Sequence, residues 1–365
     1  MIYVLIPSTP ERKDRLALAV ASIKASVCTQ PIEIVIEISE GEGANKPFYR
    51  MLQKVDGLVF NFGDDASVAS DFIQKLYDAY VENFPDQDGV CAADDGINDP
   101  RAISGFALAH SKTWLENFNP EYVHLFADRE WTAIMKNKNR YCPVLTAKAY
   151  HHHYTKESHI KFDKTYQWAE SHQQEDAELF NKRLLMGFGR LSFVTAVLIT
   201  KEKEYPKAIL DRLQGFGEII IKTQSPDVYT RYLEAGEAKN DIVYVQDDDC
   251  FINHQELFKH YDGRLTNSMT PHHFNAYKDT GATLVGWGCF FPKPMLKVFE
   301  KYVAEYGQDF HLFREADRIF TVLNQPFNTK IMPHEDLLQS SDRMSFEPNH
   351  YIWAKEAIQK ASLLT

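Results

Sequence analysis

The chain has 365 residues, enough for two domains or one large one. Apolar residues make up 44% and charged residues 25%, the balance of a soluble globular protein with a sizeable core. A net charge of −11 argues against broad, nonspecific binding to nucleic acid or anionic membrane.

In chain order, the first expected element is a buried strand, Ile2 to Ile6. The opening Met1-Ile-Tyr-Val-Leu-Ile-Pro7 has neither the basic region nor the small-residue cleavage site of a signal peptide. A helix over Asp14 to Ser26 and an apolar strand over Ile32 to Ile38 follow. The run Gly57-Leu-Val-Phe-Asn-Phe-Gly reads as a strand that delivers Asp64 and Asp65. Beyond it come a glycine-centred segment, Ser104 to Ala107, an acidic cluster, Asp128-Arg129-Glu130, and the triplet His151-His152-His153. Thr165 to Leu185 has helical spacing, with apolar positions at Trp168, Leu179, Leu184 and Leu185. Gly187 and Gly189 break it, which puts a domain boundary at about residue 190: a first domain over 1–190 and a second over 191–365.

The same order then recurs. Phe193 to Thr200 is an apolar strand, and the run that contains it, Leu191 to Thr200, is too short to span a bilayer. A helix over Tyr205 to Leu213, a strand over Glu218 to Lys222 and a strand over Ile242 to Gln246 follow, the last ending in Asp247-Asp248-Asp249. After these come the glycine-centred Val285-Gly286-Trp287-Gly288, the cluster Glu315-Ala316-Asp317-Arg318, and His350. Strands alternating with helices imply an α/β fold whose sheets are mostly parallel. The five cysteines are scattered and form no CxxC pair or disulfide framework, so a reducing cytoplasm is the expected compartment.

The three acids after Ile-Val-Tyr-Val-Gln carry the most chemistry. Ligands of open α/β sheets bind outside the carboxyl ends of the strands. Alternate strand residues share a face, which groups Asp247 with Asp249 and sends Asp248 the other way. Clustered carboxylates call for a cation, and hard divalent ions take oxygen ligands, diphosphate included. The plainer alternative is a solvated strand end or a helix N-cap.

With these residues in place, the chain resembles the nucleotide-sugar glycosyltransferases of the GT-A fold, whose signature is an Asp-x-Asp at the end of a central strand. The resemblance covers nearly the whole chain as two GT-A-like, Rossmann-related domains in tandem, each a mostly parallel sheet flanked by helices. It implies transfer of a sugar from a nucleotide-sugar donor, expected to be a UDP-sugar, to an acceptor hydroxyl, with Mn²⁺ or Mg²⁺ as cofactor. In the second domain it implies Asp317, or Glu315, as the base of an inverting displacement. It implies Asp249 and His350 as metal ligands, and Lys222, Arg231, Asp247, Asp248, Gly286 and Trp287 on the donor. In the first domain Val4 to Arg12 resembles the strand and loop that receive base and ribose, and Gly43-Ala44-Asn45-Lys46 the donor-binding turn. There the implied donor contacts are Thr9, Arg12, Asn45, Lys46 and Asp64. The implied metal ligands are Asp65 and His152, and the implied acidic groups are Asp128, as base, and Glu130. Gly63 precedes the acid pair, so this half lacks a full Asp-x-Asp. The resemblance implies two transfer sites, with a degenerate first domain that serves recognition as the alternative.

Acceptors in keeping with the resemblance are a glycan, a lipid or a modified nucleic-acid base, the last because the YVQDDD and EADR segments also resemble viral-type enzymes that glycosylate such bases. A nucleotidyltransferase is an alternative, although Ser8 to Lys13 lacks the glycines of a triphosphate loop. A non-catalytic carbohydrate-binding module is another. A dinucleotide-binding dehydrogenase is disfavoured, since no GxGxxG follows the first strand.

Overall fold

The computed structural model describes residues 1–155, 160–333, 335–336 and 349–365. The chain divides into two units, Met1–Asn181 and Lys182–Thr365. In the first unit the order is β1 (Ile2–Ser8), α1 (Lys13–Lys24), β2 (Ile32–Ile38), α2 (Asn45–Leu52), β3 (Leu58–Asn61), β4 (Ala66–Val68) and α3 (Phe72–Asn83). It continues with β5 (Val90–Asp94), β6 (Ala107–His110), α4 (Ser111–Asn117), α5 (Ala127–Asn137), β7 (Tyr141–His151), α6 (Lys164–Ser171) and α7 (Gln173–Leu185). Its sheet runs β2-β1-β3-β6-β5-β7-β4. β1 lies parallel to β2 and β3, and β5 parallel to β7, while β6 opposes both β3 and β5. The continuous apolar run of β1 suits a strand flanked on both sides, and Ile2, Val4, Leu5 and Ile6 are all fully buried. β2 sits at the sheet edge, where its Glu33 and Ile36 stay exposed.

The second unit begins with β8 (Val194–Ile199), α8 (Lys207–Leu210), β9 (Glu218–Lys222), α9 (Thr230–Gly236), β10 (Ile242–Gln246), β11 (Cys250–Phe251), α10 (His254–Phe258) and β12 (Thr266–Met269). It closes with α11 (Pro271–Tyr277), β13 (Cys289–Pro292), α12 (Val298–Tyr306), α13 (Phe310–Leu323), β14 (Asn328–Ile331), β15 (Glu335–Asp336) and α14 (His350–Ser362). Its sheet, β9-β8-β10-β13-β12-β14, follows the same path as the first, with β13 as the antiparallel member. The likeness extends to a detail: the short strand after each acid cluster pairs antiparallel with a returning strand, β4 with β7 and β11 with β15. The recurrence seen in the sequence is thus a recurrence of strand order, direction and pairing.

Two expected helices differ, and the glycine-centred segment of the second unit proves irregular. The helix over 165–185 is two helices, α6 and α7, interrupted at His172 (φ −102°, ψ 3°). The segment 205–213 keeps only the single turn of α8, because Pro206 precedes it and Gly215 and Gly217 follow closely. The glycine-rich 281–288 stays irregular, and only Cys289–Pro292 joins the sheet. Among the described residues no helix is long and apolar enough to cross a membrane.

Candidate functional site

Strand order locates the crevices. In each sheet the chain moves from the central strand to one side and then crosses to the other, and ligands of open α/β sheets bind at such a reversal. The reversal falls between β1 and β3 in the first unit and between β8 and β10 in the second. The acids follow β3 and β10, so both clusters stand at a reversal.

In both units a hydroxyl ending the central strand donates to an acid after the third strand. Ser8 Oγ reaches Asp64 Oδ2 at 2.7 Å, and Thr200 Oγ1 reaches Asp248 Oδ2. Asp65 and Asp249 then occupy equivalent places, directly before β4 and β11. Asp247, the extra acid, falls where the first unit has Gly63.

In the second unit Asp247 is held from three directions. Its backbone N–H donates to Gly286 O at 2.6 Å, its carbonyl accepts from Tyr205 at 3.1 Å, and its carboxylate pairs with Arg231. A Cβ at Gly286 would overlap the Asp247 carboxylate, so the glycine leaves that carboxylate its place beside Arg231. The glycine therefore admits an acid of the same chain, rather than only a ligand. Arg231 is 2% exposed and also pairs with Asp317 at 3.1 Å, so it bridges the strand-end acids and the helix α13. Burial alone would weaken its charge, but Asp317 and Asp247 raise its pKa and keep it protonated. Asp317 also accepts from Tyr232 at 2.6 Å. Burial raises the Asp317 pKa, Arg231 opposes this, and the net direction is upward.

Helix α13 is interrupted at Glu315 (φ −124°, ψ 25°), and Ala316-Asp317-Arg318 opens the turn after the break. Ala127-Asp128-Arg129 opens α5 in the same way, behind Phe126 at φ 66°. Asp128 and Asp317 are therefore equivalent in the fold, and burial raises the Asp128 pKa as well. Glu315 has a different setting. It is 1% exposed and lies 3.1 Å from His350 Nδ1 and 3.4 Å from Arg318. Of the His350 segment, residues 345–348 lie outside the described residues.

In the first unit Arg12 meets the acids. Its guanidinium donates to Asp64 at 3.0 Å, to Asp65 at 3.3 Å and twice to Asp163 at 3.1 Å, and it stacks on Tyr166. Of the histidine triplet it is the His151 ring, and not that of the expected His152, that reaches the Asp65 carboxylate, at 3.1 Å, while the His152 backbone N–H donates to Asp65 O at 2.8 Å. His152 turns to Ser67 Oγ at 2.9 Å. Register decides this: Ala66 of β4 faces His151 of β7, and a step of one residue turns a side chain to the other face. Burial alone would raise the Asp65 pKa, but His151, Arg12 and Tyr166 together lower it well below the usual carboxylate range.

The remaining candidates are dispersed. Asn45 starts α2 and donates to Tyr122 O at 3.2 Å, while Lys46 is exposed. Thr9 shares a hydrogen bond with Thr165 at 3.1 Å, and Lys222 pairs with Glu234 at 3.3 Å. Glu130 is 1% exposed and accepts from Tyr122 at 2.7 Å, a core contact. Trp287 is half-buried against His273, with ring centroids 4.0 Å apart. Several residues escaped the sequence reading. Asp163 caps α6 and pairs with Arg12, and the buried Asp176 accepts from three successive backbone N–H groups, Val123, His124 and Leu125. An Asp before a helix signals a cap, but nothing local identifies its distant partner.

A divalent ion suits the two acid clusters unequally. Among the described residues, no group of three or more His, Cys, Asp or Glu side chains is arranged to hold a metal. Asp247, Asp248 and Asp249 are half-buried oxygen donors, of the kind a hard cation takes together with diphosphate oxygens. Asp64 and Asp65 are buried and already face Arg12.

No family model matches the chain. No curated protein matches it either. Solved structures with partial likeness include S. aureus TarS 1–349, at 13% identity and a TM-score of 0.32, covering 39% of this chain and 58% of that one. The same TarS fragment in complex with UDP-GlcNAc matches at 12% identity and a TM-score of 0.33, covering 52% of this chain and 75% of that one. The glycosyltransferase GlyE of Streptococcus pneumoniae TIGR4 matches at 11% identity and a TM-score of 0.31, covering 64% and 83%. Likenesses at this level do not carry a function across to this chain.

Proposed function

We propose that this chain is a glycosyltransferase that moves a sugar from a nucleotide-sugar donor to an acceptor hydroxyl, with the chemistry in the second unit. The observation that carries the reading is the link Asp247–Arg231–Asp317 at the sheet reversal: a cluster of oxygen ligands joined through one buried cation to a carboxylate of raised pKa. Such a carboxylate is a competent general base. Asp317 takes the acceptor proton as the acceptor oxygen bonds to the anomeric carbon. The bond from that carbon to the diphosphate oxygen breaks, and its electron pair leaves with the diphosphate. Asp249, with Asp247 or Asp248, would hold Mn²⁺ or Mg²⁺ together with diphosphate oxygens, and the ion would supply charge to stabilise the departing diphosphate. His350 lies against Glu315 and Arg318 instead. Arg231 keeps Asp317 oriented, and Tyr232 donates to the same carboxylate. Glu315 is buried against His350 and Arg318, so it positions the histidine and is not the base.

The test is transfer and donor hydrolysis across a panel of nucleotide sugars, with glycan, lipid and modified-base acceptors, with and without Mn²⁺. Metal-stimulated turnover that Asp249→Ala abolishes is expected. A chain that neither binds nor turns over any nucleotide sugar would sink the proposal.

A further inference from the structure

The acid pair of the first unit already faces a cation. Asp64 and Asp65 are 5% and 7% exposed, and all four of their carboxylate oxygens have partners. Ser8 donates to Asp64 Oδ2 at 2.7 Å and Arg12 to Asp64 Oδ1 at 3.0 Å. Asp65 Oδ2 accepts from Arg12 at 3.3 Å and Tyr166 at 2.8 Å, while Oδ1 lies 3.1 Å from His151 Nε2. The other face of the guanidinium is fixed by Asp163 and by the Tyr166 ring, 4.3 Å from its centre. A hard divalent ion needs carboxylate oxygens of its own. To enter here it must expel a guanidinium that is 6% exposed.

The second unit differs at the matching place. Counting from the hydroxyl that meets the acid, the fourth residue on is Arg12 after Ser8 but Glu204 after Thr200. The loop that carries a cation into the first acid cluster carries an exposed carboxylate in the second.

We infer that Arg12 is the resident cation of the first unit, standing where a divalent ion would, and that this unit binds no divalent cation. Any such ion taken up by the chain goes to Asp247–Asp249, a clause that alone rests on the proposed function.

Titration of the intact chain with Mn²⁺, with free ion followed by electron paramagnetic resonance, tests this without any turnover. Asp65→Asn is expected to leave the number of tightly bound Mn²⁺ ions unchanged, and Arg12→Met to add one per chain. Loss of an ion in Asp65→Asn overturns the inference, as does a folded Arg12→Met chain that gains none. Should Arg12→Met fail to fold, the comparison of Asp65→Asn with the unmodified chain still decides. Asp249→Asn separates the two readings. If the unmodified chain binds no Mn²⁺, or Asp249→Asn keeps all of it, metal binding in the second unit fails, while the first-unit inference stands or falls on the other two variants.

Discussion

His254 is 3% exposed, and neither ring nitrogen has a hydrogen-bond partner among the described residues. It packs among Phe216, Tyr244 and Phe251, and burial lowers its pKa to about 4. A histidine in the unfolded chain titrates near ~6.5. The folded value is the lower one, so the neutral ring favours folding above about pH 6.5, and that stability is lost as pH falls toward 4. The loss is roughly 3 kcal/mol by linkage. His254→Leu removes the titrating group, so its melting temperature should fall less between pH 7 and pH 4.5 than that of the unmodified chain. Parallel losses would show that the ring is not held neutral. Gly286 makes a second prediction at this scale. Gly286→Ala displaces the Asp247 carboxylate and with it one partner of Arg231. On the proposed function, kcat/KM should drop by about tenfold or more, ~1.4 kcal/mol of transition-state binding, with the chain still folded by circular dichroism.

The break in α13 places two neighbouring acids in different surroundings, which on the proposed function gives them different roles. After the break the helix presents Asp317 to Arg231 and Tyr232, while Glu315 lies at the break beside His350. Asp317→Asn should therefore lower kcat by ~10²-fold or more with donor binding retained, the loss expected for a general base. Glu315→Gln, a change in a contact with His350 and Arg318, should leave kcat within a few-fold of the unmodified chain. The reverse pattern would exchange the two roles. Much of this was legible locally. Apolar β-branched runs marked β1, β8 and β10, and their order located both acid clusters. The two acidic clusters were legible as a repeat, although nothing local showed that each opens a helical turn. What stayed hidden depends on pairing across the chain. Arg12 meets Asp163 over 151 residues, and no local propensity encodes that contact. The choice of His151 over His152 follows from the β4–β7 register, which a period-2 pattern cannot assign when three identical residues stand in a row. Gly286 was expected beside the donor, and its contact with Asp247 was not legible.

At the scale of the whole chain, each unit has its own apolar core, built on β1 and β3 in the first and on β8 and β10 in the second. A fragment of residues 1–186, which ends after α7, should therefore fold and melt cooperatively by itself. A fragment of residues 1–172, which ends before α7, should not. The difference lies largely in Asp176, a buried α7 residue whose carboxylate accepts from Val123, His124 and Leu125 N–H at 2.7, 2.9 and 2.7 Å. Without α7 three half-buried N–H groups lose their acceptor, at about 1–3 kcal/mol for each that water cannot reach. Together that is a large share of the ~5–15 kcal/mol that holds a typical domain. The same three residues lead into Asp128, so the helix that supports the fold also fixes the entry to the first acidic motif. Asp176→Asn in the full chain separates the two effects. The amide keeps one acceptor oxygen, so the unit should still fold with a lowered melting temperature, and backbone amides 123–125 should exchange hydrogen faster than in the unmodified chain. Unchanged exchange at those three amides would mean that α7 contributes only its apolar face.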